Sequence, residues 1–268
     1  MKDKKLSVAI ATYNEEKNIA KCLESVKDWV DEMVVVDGSS TDKTREIAKN
    51  FGAKVIKTTN KPIFHINKNM AIDACQGEWI LQLDADEIVP LEMKEEILAI
   101  VNQELKPGQP VGYWLKRKNY FLGRYLKKGG QYPDPVIRFF KKGKGRLPAK
   151  DVHEQVAIDG EIGWLKTDLN HWATPEFSRY MLRERRYSTL TAKEFLEKKL
   201  PINPFTFFKY LCFLPLKTFL MIYVRHKGFV DSWQGFVFAF FSGWHYAWAY
   251  LKYLRMRIKK VDIQKEWQ

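Results

Sequence analysis

The sequence predicts an α/β fold: a sheet flanked by helices, followed by a helical, aromatic-rich region at the carboxyl end. Two observations support this prediction. In residues 1–105 a short apolar strand, a polar loop and a helical pattern follow one another three times, which is typical of a parallel sheet with helices on its faces. Residues 201–268 instead hold long apolar stretches with 19 of the 38 aromatic residues of the chain.

The first strand is predicted over residues 6–11 and runs directly into a polar loop that contains Thr12, Asn14 and Glu15. Its six residues are too apolar for a strand that faces water. In open α/β sheets, ligands bind at the carboxyl ends of parallel strands. Thr12, Asn14 and Glu15 are therefore candidate ligand-binding residues.

The second strand is predicted over residues 33–36 and ends at Asp37, which is followed by Ser40, Thr41 and Asp42. The last three residues are natural helix N-caps. Asp37 precedes them, and a buried acid at that place needs a partner, such as the imide of a base or the hydroxyls of a ribose. The sequence therefore predicts a nucleotide pocket, and the lack of glycine-rich dinucleotide and P-loop motifs argues against those two kinds of site.

The third strand is predicted over residues 79–83 and ends in three carboxylates, Asp84, Asp86 and Glu87. Carboxylates at the end of a buried strand form a site for a hard cation, and such a cation can carry a nucleotide diphosphate. The alternative is an acidic turn that only precedes the helix starting near Leu91. Because two similar loops precede it in the chain, we favour the metal site.

Three motifs together resemble the nucleotide-sugar domain of family 2 inverting glycosyltransferases, which have the GT-A fold with a Rossmann-like mixed sheet. These motifs lie in residues 7–19, 34–42 and 84–86. Five further motifs resemble a narrower branch, the lipopolysaccharide-core β-glucosyltransferase-like proteins. They are Gly123-Arg124, Pro133-Asp134, Arg138-Phe-Phe140, Val152-His-Glu154 and Lys227-Gly-Phe-Val-Asp231. The chain departs from the usual pattern at Lys68, where an arginine is common, and at Ser232, where a glycine is common.

The resemblance implies a metal-dependent enzyme that moves a hexose from a nucleotide diphosphate sugar, expected to be a UDP-sugar, to a hydroxyl group. Asp86 would hold Mn²⁺ or Mg²⁺ against both phosphates, where the ion stabilises the charge of the leaving group. Asp84 would bind the ribose or a water on the metal. Asp37 would contact the base, with Thr12 and Glu15 on its other side.

Two cations are predicted to face the donor. Lys68 could reach the diphosphate as a point charge, although a solvated lysine near a helix start explains it equally well. Arg138 lies between the apolar pairs Val136-Ile137 and Phe139-Phe140. We therefore expect it to point into the site, with an anionic donor or an acceptor phosphate as its partner.

An inverting enzyme needs a base that takes the proton of the acceptor hydroxyl. Because related enzymes use an acid in this later segment, Glu154 is the first candidate and Asp151 the second. His153, which lies between them, could be the base, a metal ligand or a structural histidine. The same choices apply to His171.

The net charge of +13 is unevenly distributed: −5 over residues 1–105, +11 over 106–200 and +7 over 201–268. An acidic donor-binding half argues against a nucleic-acid partner, whereas a basic second half suits an anionic membrane or a phosphorylated glycolipid. The three cysteines lie far apart and form no C-x-x-C motif, which indicates a reducing compartment.

We predict a catalytic domain over residues 1–175 and a basic, aromatic helical region over 176–268. A long helix over 175–196 should bury Tyr180, Tyr187, Leu190 and Phe195. Residues 232–251 carry no Asp, Glu, Lys or Arg and could span a bilayer of about 30 Å. The apolar segment 205–217 before them is interrupted by Lys209, Pro215 and Lys217. These interruptions and the tryptophans of 232–251 favour helices that lie in the interface; a helical subdomain packed on the core or on a second subunit is the alternative.

The sequence thus predicts a glycosyltransferase on the cytoplasmic face of the inner membrane, peripheral or monotopic, with a lipid-linked or lipopolysaccharide-core acceptor. Two alternatives stay open. A polyprenyl-phosphate sugar synthase would use the same donor site but a phosphate as nucleophile, and would need no carboxylate base. A catalytically silent nucleotide-binding scaffold at the membrane would transfer nothing.

Overall fold

A computed structural model of the protein describes residues 5–61, 63–104, 106–149 and 154–259. Eleven strands are present in this part of the chain: β1 Leu6–Thr12, β2 Glu32–Asp37, β3 Lys54–Lys57, β4 Trp79–Asp84, β5 Glu87–Ile88, β6 Gly112–Phe121, β7 Arg124–Tyr125, β8 Asp134–Lys141, β9 Gly145–Arg146, β10 Ala157–Ile158 and β11 Ile162–Thr174. The α-helices are α1 Ile19–Glu24, α2 Thr44–Asn50, α3 Phe64–Ala74, α4 Leu91–Val101, α5 Phe177–Glu197, α6 Pro204–Phe208, α7 Leu214–Leu220 and α8 Ser232–Lys259.

Nine of these strands form one mixed sheet in the order β3-β2-β1-β4-β8-β6-β11-β5, with β7 paired to β6. The strands β3, β2, β1 and β4 run parallel, whereas β8 is antiparallel to both β4 and β6. Strands β9 and β10 form a separate antiparallel pair. The mixed α/β sheet that the sequence predicted is confirmed.

The parallel strands are apolar along their whole length because both faces of the sheet are covered. In β1, Val8 and Ile10 pack on one face and Ala9 on the other; β2 and β4 alternate in the same way. Helices α1 and α4 cover the first face and α3 covers the second. This period of two directs alternate side chains into two cores and leaves the carboxyl ends of the strands for polar residues.

The chain divides into two compact units. The first unit is Met1–Lys118 with Asp134–Trp172, and the second is Asn119–Pro133 with Ala173–Gln268. The division of function over 1–175 and 176–268 stays a prediction. The second unit is helical and aromatic-rich, as predicted.

In the second unit α5 and α8 pack against each other. The predicted apolar side of α5 is partly wrong, because Tyr187 and Leu190 are exposed. Ser188 and Thr189 are buried instead, since the Lys252 ammonium on α8 donates to both hydroxyls, at 2.8 and 2.9 Å. A polar contact, which periodicity cannot predict, therefore fixes the rotation of α5.

Between α5 and α8 lies a continuous helical run, Pro204–Arg225. It comprises α6, α7 and two π-helical stretches, Lys209–Phe213 and Met221–Arg225. Asn203 begins it with a capping box: the Asn203 side chain accepts from the Thr206 N–H at 2.8 Å, and the Thr206 hydroxyl accepts from the Asn203 N–H at 3.2 Å.

After the helical run the chain makes a tight turn, and α8 then leads back alongside the run. A Cβ added at Gly243 on α8 would lie 2.5 Å from the Pro215 carbonyl oxygen, so the two helices approach as closely as glycine allows. In the turn Ser232 has φ 60° and ψ −151°, a conformation that only glycine adopts without strain. This strain explains why a glycine is common at this position in the branch that the chain resembles.

Candidate active site

The carboxyl ends of β1, β2 and β4 bring the predicted site residues to one edge of the sheet. Thr12 pairs with Asp37 in the register of β1 and β2, and Ala11 pairs with Asp84 in that of β1 and β4. All of the site residues described below belong to the first unit. Three polar loops therefore converge, as the repeated strand endings predicted.

Asp37 is fully buried and has internal partners. Its carboxylate accepts hydrogen bonds from the Ser40 backbone N–H, at 3.0 Å, and from the Ser40 hydroxyl, and the Arg45 Nε lies 3.5 Å away. Helix α2 begins at Thr44, so Ser40 binds Asp37 and does not cap this helix. The need for a partner was correctly inferred; the partner in the free protein is Ser40.

Asn14 and Glu15 tie the loop after β1 to the loop after β2. The Asn14 side-chain oxygen accepts from the Thr41 N–H at 2.8 Å, while the Asn14 N–H donates to the Ser40 hydroxyl at 2.9 Å. The Glu15 N–H donates to the Thr44 hydroxyl at 2.8 Å. Asn14 has a φ of 54°, a left-handed conformation that asparagine tolerates better than most residues.

Thr12 has the one side chain of this group that lacks an internal partner. It is buried, and among the described residues its hydroxyl has no hydrogen-bond partner. Buried hydroxyls without partners are rare and need an explanation. A ligand that donates to or accepts from this hydroxyl would supply one.

Asp84 is held between two cations. The Lys68 Nζ lies 2.5 Å from its Oδ1, and the Arg138 Nη2 lies 2.5 Å from its Oδ2. Burial alone would raise the pKa of Asp84, but the charges of Arg138 and Lys68 outweigh burial and hold this pKa well below its usual range. Lys68 and Arg138 are both buried, so the solvated-lysine interpretation is wrong and Arg138 points into the site.

Two further residues, Glu87 and Gln82, hold Arg138 in place. Fully buried Glu87 accepts from the Arg138 Nη2 at 3.0 Å, from the Arg117 Nη1 at 3.3 Å and from the Asp84 N–H at 2.8 Å. The Gln82 side-chain oxygen accepts from the Arg138 Nη1. The sequence contains one signal for this arrangement, the glutamine inside the apolar strand Trp79–Asp84, because a polar side chain in a buried strand needs a partner.

Asp86 faces His171 across the pairing of β5 and β11. The His171 Nε2 lies 3.6 Å from the Asp86 Oδ2, too far for a hydrogen bond. Two atoms that bind one divalent ion at about 2.1 Å each must lie within about 4.2 Å of each other, and these two do. Carboxylate and imidazole are both ligands of divalent ions, so this pair fits a metal ion.

Among the described residues, no three histidine, cysteine or carboxylate side chains form a metal cluster. The described residues would therefore supply two ligands, Asp86 and His171, and a small number of protein ligands is typical of ions that enter together with the phosphates of a substrate.

Glu154 lies next to helix α3. Its Oε2 is 3.7 Å from the Nδ1 of buried His65. A cavity of about 590 Å³ is lined by other residues of this helix and of the segment after β8, namely Ile66, Asn69, Met70, Asp73, Arg146, Leu147, Pro148, Ala149 and Ala157. The other two candidates for the base, Asp151 and His153, lie outside the described residues.

Comparison with known proteins gives the family. Residues 7–148 match the family model Glycosyl transferase family 2. The chain is 30% identical over 259 residues to the lipopolysaccharide core biosynthesis glycosyltransferase LpsC of Rhizobium meliloti (strain 1021), covering 88% of this chain and 90% of the relative. It is also 30% identical to an uncharacterized glycosyltransferase of Rickettsia typhi, covering 88% of this chain and 84% of the relative.

A more distant similarity is to the crystal structure of S. aureus TarS 1–349 in complex with UDP-GlcNAc. The two are 17% identical, with a TM-score of 0.49 over 93% of this chain and 88% of that one. The family model spans the strand ends that form the site, and the match to LpsC spans nearly the whole chain. The protein therefore belongs to glycosyl transferase family 2 and is a glycosyltransferase with a GT-A-type fold.

Proposed function

We propose that the protein transfers a hexose, with inversion and with help from a divalent metal, from a UDP-sugar to a hydroxyl of a lipid-linked or lipopolysaccharide-core acceptor. The observation that carries this proposal is the meeting of three differently equipped loops at one sheet edge. The end of β1 offers the Thr12 hydroxyl, the end of β2 offers the Asp37 carboxylate, and the end of β4 offers Asp84 beside two buried cations and Asp86 beside His171.

The donor nucleotide would lie over Thr12 and Asp37. The Thr12 hydroxyl needs a partner, and the base or ribose of a nucleotide can supply it. The imide N–H of uracil would replace the Ser40 hydroxyl on the Asp37 carboxylate, an exchange between two hydrogen bonds of similar kind. Lys68 and Arg138 would then turn toward the diphosphate, which has more charge than the single carboxylate of Asp84.

Asp86 and His171 would hold Mn²⁺ or Mg²⁺, with Asp84 contacting the ribose or a water on the ion. When bound, the ion neutralises the charge that develops on the departing nucleotide diphosphate. Lys68 and Arg138 add fixed positive charge at the same place in a site from which water is largely excluded. The residues of this chain thus favour departure of the diphosphate.

Glu154 would take the proton of the acceptor hydroxyl. Its carboxylate lies 3.7 Å from the Nδ1 of buried His65, and the proposal requires the acceptor to bind on this side of helix α3. Asp151 is the second candidate for the base. His153 stays a candidate base or metal ligand.

A lipopolysaccharide-type acceptor is supported by the relative LpsC, whose name assigns it to lipopolysaccharide core biosynthesis. The +7 charge of residues 201–268 supports an anionic membrane as the surface at which the enzyme acts. Because nucleotide sugars are made in the cytoplasm and the chain has the cysteine pattern of a reducing compartment, we place the enzyme on the cytoplasmic face.

A thermal-shift experiment tests the donor site. UDP with Mn²⁺ should stabilise the wild-type protein, since ligands that bind only the folded state raise its stability. Asp86→Ala should lose the dependence on Mn²⁺, whereas the control Asp159→Ala, at an exposed ion pair with Lys144, should keep it. No stabilisation by any nucleotide diphosphate or its sugars, with or without metal, would contradict the proposal.

Transfer assays separate the alternatives. Glu154→Gln should abolish transfer while donor binding persists; the control Glu161→Gln, at an exposed position, should remain active. Full activity of Glu154→Gln would favour a phosphate acceptor, as in a polyprenyl-phosphate sugar synthase, or a different base. Donor binding without hydrolysis or transfer in any condition would favour a silent scaffold.

A further inference from the structure

Exposed apolar side chains concentrate on one hairpin of the second unit, formed by the helical run Pro204–Arg225 and the first half of α8. We call residues 204–244 the apolar hairpin. On the run, positions three to five residues apart lie along one side and are exposed: Phe205, Phe208, Phe213, Leu216, Leu220 and Val224. On α8 the exposed positions are Trp233, Phe236, Phe240 and Trp244.

The inner faces of the same helices are well packed. Tyr210 of the run stacks on Tyr250 of α8 with ring centroids 5.3 Å apart, and Gly243 meets the backbone at Pro215. The outer rings of Phe240 and Trp244 stack only along their own helix, at 5.8 Å. A row of large apolar side chains that is exposed along both helices of one hairpin indicates a binding surface.

The charges around this surface are almost all positive. The apolar hairpin contains four lysines and arginines and a single acid, Asp231, which is buried. The ammonium groups of Lys209 and Lys217 lie 5.4 and 5.8 Å from the ring centres of Tyr210 and Phe213. Apolar residues surrounded by basic side chains are complementary to an anionic lipid surface, where aliphatic stems enter the membrane and charges meet phosphates.

Both ends of the run are fastened inside the second unit. Near its start, Tyr210 contacts Phe195 of α5 at 4.8 Å. At its end, the His226 carbonyl accepts from the Gly129 N–H at 2.9 Å, and the Asp231 carboxylate accepts from the backbone N–H groups of Lys127 and Lys128 at 2.9 and 2.8 Å.

By length and composition, this run is the one described helix that could cross a bilayer. A crossing, however, would carry Lys217 into the hydrocarbon. It would also carry α8 and the arginine-rich helix α5 packed against it. Charged side chains are strongly disfavoured near the bilayer centre. The fastened ends therefore favour a helix that lies in the plane of the membrane.

We propose that the apolar hairpin inserts its outer face into one leaflet of an anionic bilayer and lies in the interface without crossing it. The inference rests on the proposed function in one respect: contact with the membrane would give the enzyme access to a lipid-linked acceptor. The basic side chains select anionic headgroups, and the rings of Trp233 and Trp244 suit the headgroup level. This places the membrane contact mainly on a segment that precedes the uncharged stretch 232–251.

Cys212 provides a probe in the unmodified protein. It is exposed near the middle of the run, whereas Cys22 and Cys75 are buried. We expect the reaction of Cys212 with a water-soluble maleimide to slow at least about tenfold when phosphatidylcholine vesicles with one quarter phosphatidylglycerol are added. Vesicles of phosphatidylcholine alone should slow it much less.

A matched pair of variants localises the contact. Leu216→Glu places a carboxylate on the hairpin, at a residue that is 59% exposed, and Leu91→Glu does so on α4 of the first unit, at 63% exposure. Cosedimentation with the anionic vesicles should weaken at least about tenfold for Leu216→Glu and stay unchanged for Leu91→Glu. Stabilisation by UDP and Mn²⁺ should be equal in both, so a failure of this inference is distinguishable from a failure of the donor site.

Three results would overturn the proposal. The first is an unchanged maleimide rate with vesicles. The second is a rate that falls with protein concentration when no vesicles are present, which would indicate that a second copy covers the hairpin. The third is equal protection by neutral and anionic vesicles, which would refute selection by charge.

Discussion

Glu87→Gln tests whether one fully buried carboxylate organises the cations of the site. The substitution keeps the size of the side chain and removes its charge. It leaves one acceptor oxygen for three donors, which lie at 2.8, 3.0 and 3.3 Å, and turns an amide toward one of them. Removing one partner of a buried ion pair costs about 3–5 kcal/mol. At about 2–4 °C per kcal/mol for a protein of this size, the midpoint of unfolding should fall by about 6–20 °C.

Thermal unfolding followed by circular dichroism, supported by urea titration, measures this change. Glu24→Gln is the matched control, because Glu24 forms an exposed pair with Lys27 at 2.9 Å, and such pairs contribute about 0–1 kcal/mol. Glu87→Gln should also weaken donor binding, since Arg138 loses the group that holds it beside Asp84. Equal midpoints for the two variants would refute the assignment of Glu87 as the residue that organises the cations.

Three further changes have expected outcomes. Ser232→Gly should raise the urea midpoint, because it removes about 1–3 kcal/mol of backbone strain and gives back about 0.5–1 kcal/mol through glycine flexibility; a lower midpoint would show that no strain is stored there. Thr12→Val should leave the stability of the free protein nearly unchanged or slightly higher, since no internal hydrogen bond is lost, and should weaken UDP binding in calorimetry; unchanged affinity would remove Thr12 from the donor site. The depressed pKa of Asp84 implies a stabilisation that is present above about pH 4, the ordinary range of aspartate, and lost as the pH falls. Asp84→Asn should therefore lose less of its free energy of unfolding in acid than the wild type does. Parallel profiles of the free energy of unfolding against pH would contradict this.

The fold and the position of the site follow from strand endings that are visible in the sequence. An apolar run that stops at a polar loop marks a carboxyl edge, and Thr12, Asp37 and Asp84 were found in this way. Pairing across the antiparallel half of the sheet was not visible, because no local pattern shows that β8 lies beside β4. The set that holds Arg138, with Glu87 and Gln82, depends on that pairing.

The second unit shows a different limit. Composition selected both the apolar segment 205–217 and the uncharged residues 232–251 as helices that meet the membrane, but it does not tell which face of a helix is covered by a neighbour. In the structure much of α8 packs inward, around Ala239 and Tyr250, and the run before it carries most of the outer surface. The rotation of α5 escaped prediction for the related reason that Lys252 reaches across to it.

The hydrogen bonds that cross between the loops after β1 and β2 have a consequence for the cost of binding. Asn14, Glu15, Ser40, Thr41 and Thr44 join the two loops through backbone groups as well as side chains. Their conformational freedom was given up when the chain folded, so an arriving nucleotide does not have to order them. Affinity for the donor should then vary little with substitutions in these loops outside the five residues. When one of the five is substituted in each loop, the two effects on donor affinity should be strongly non-additive.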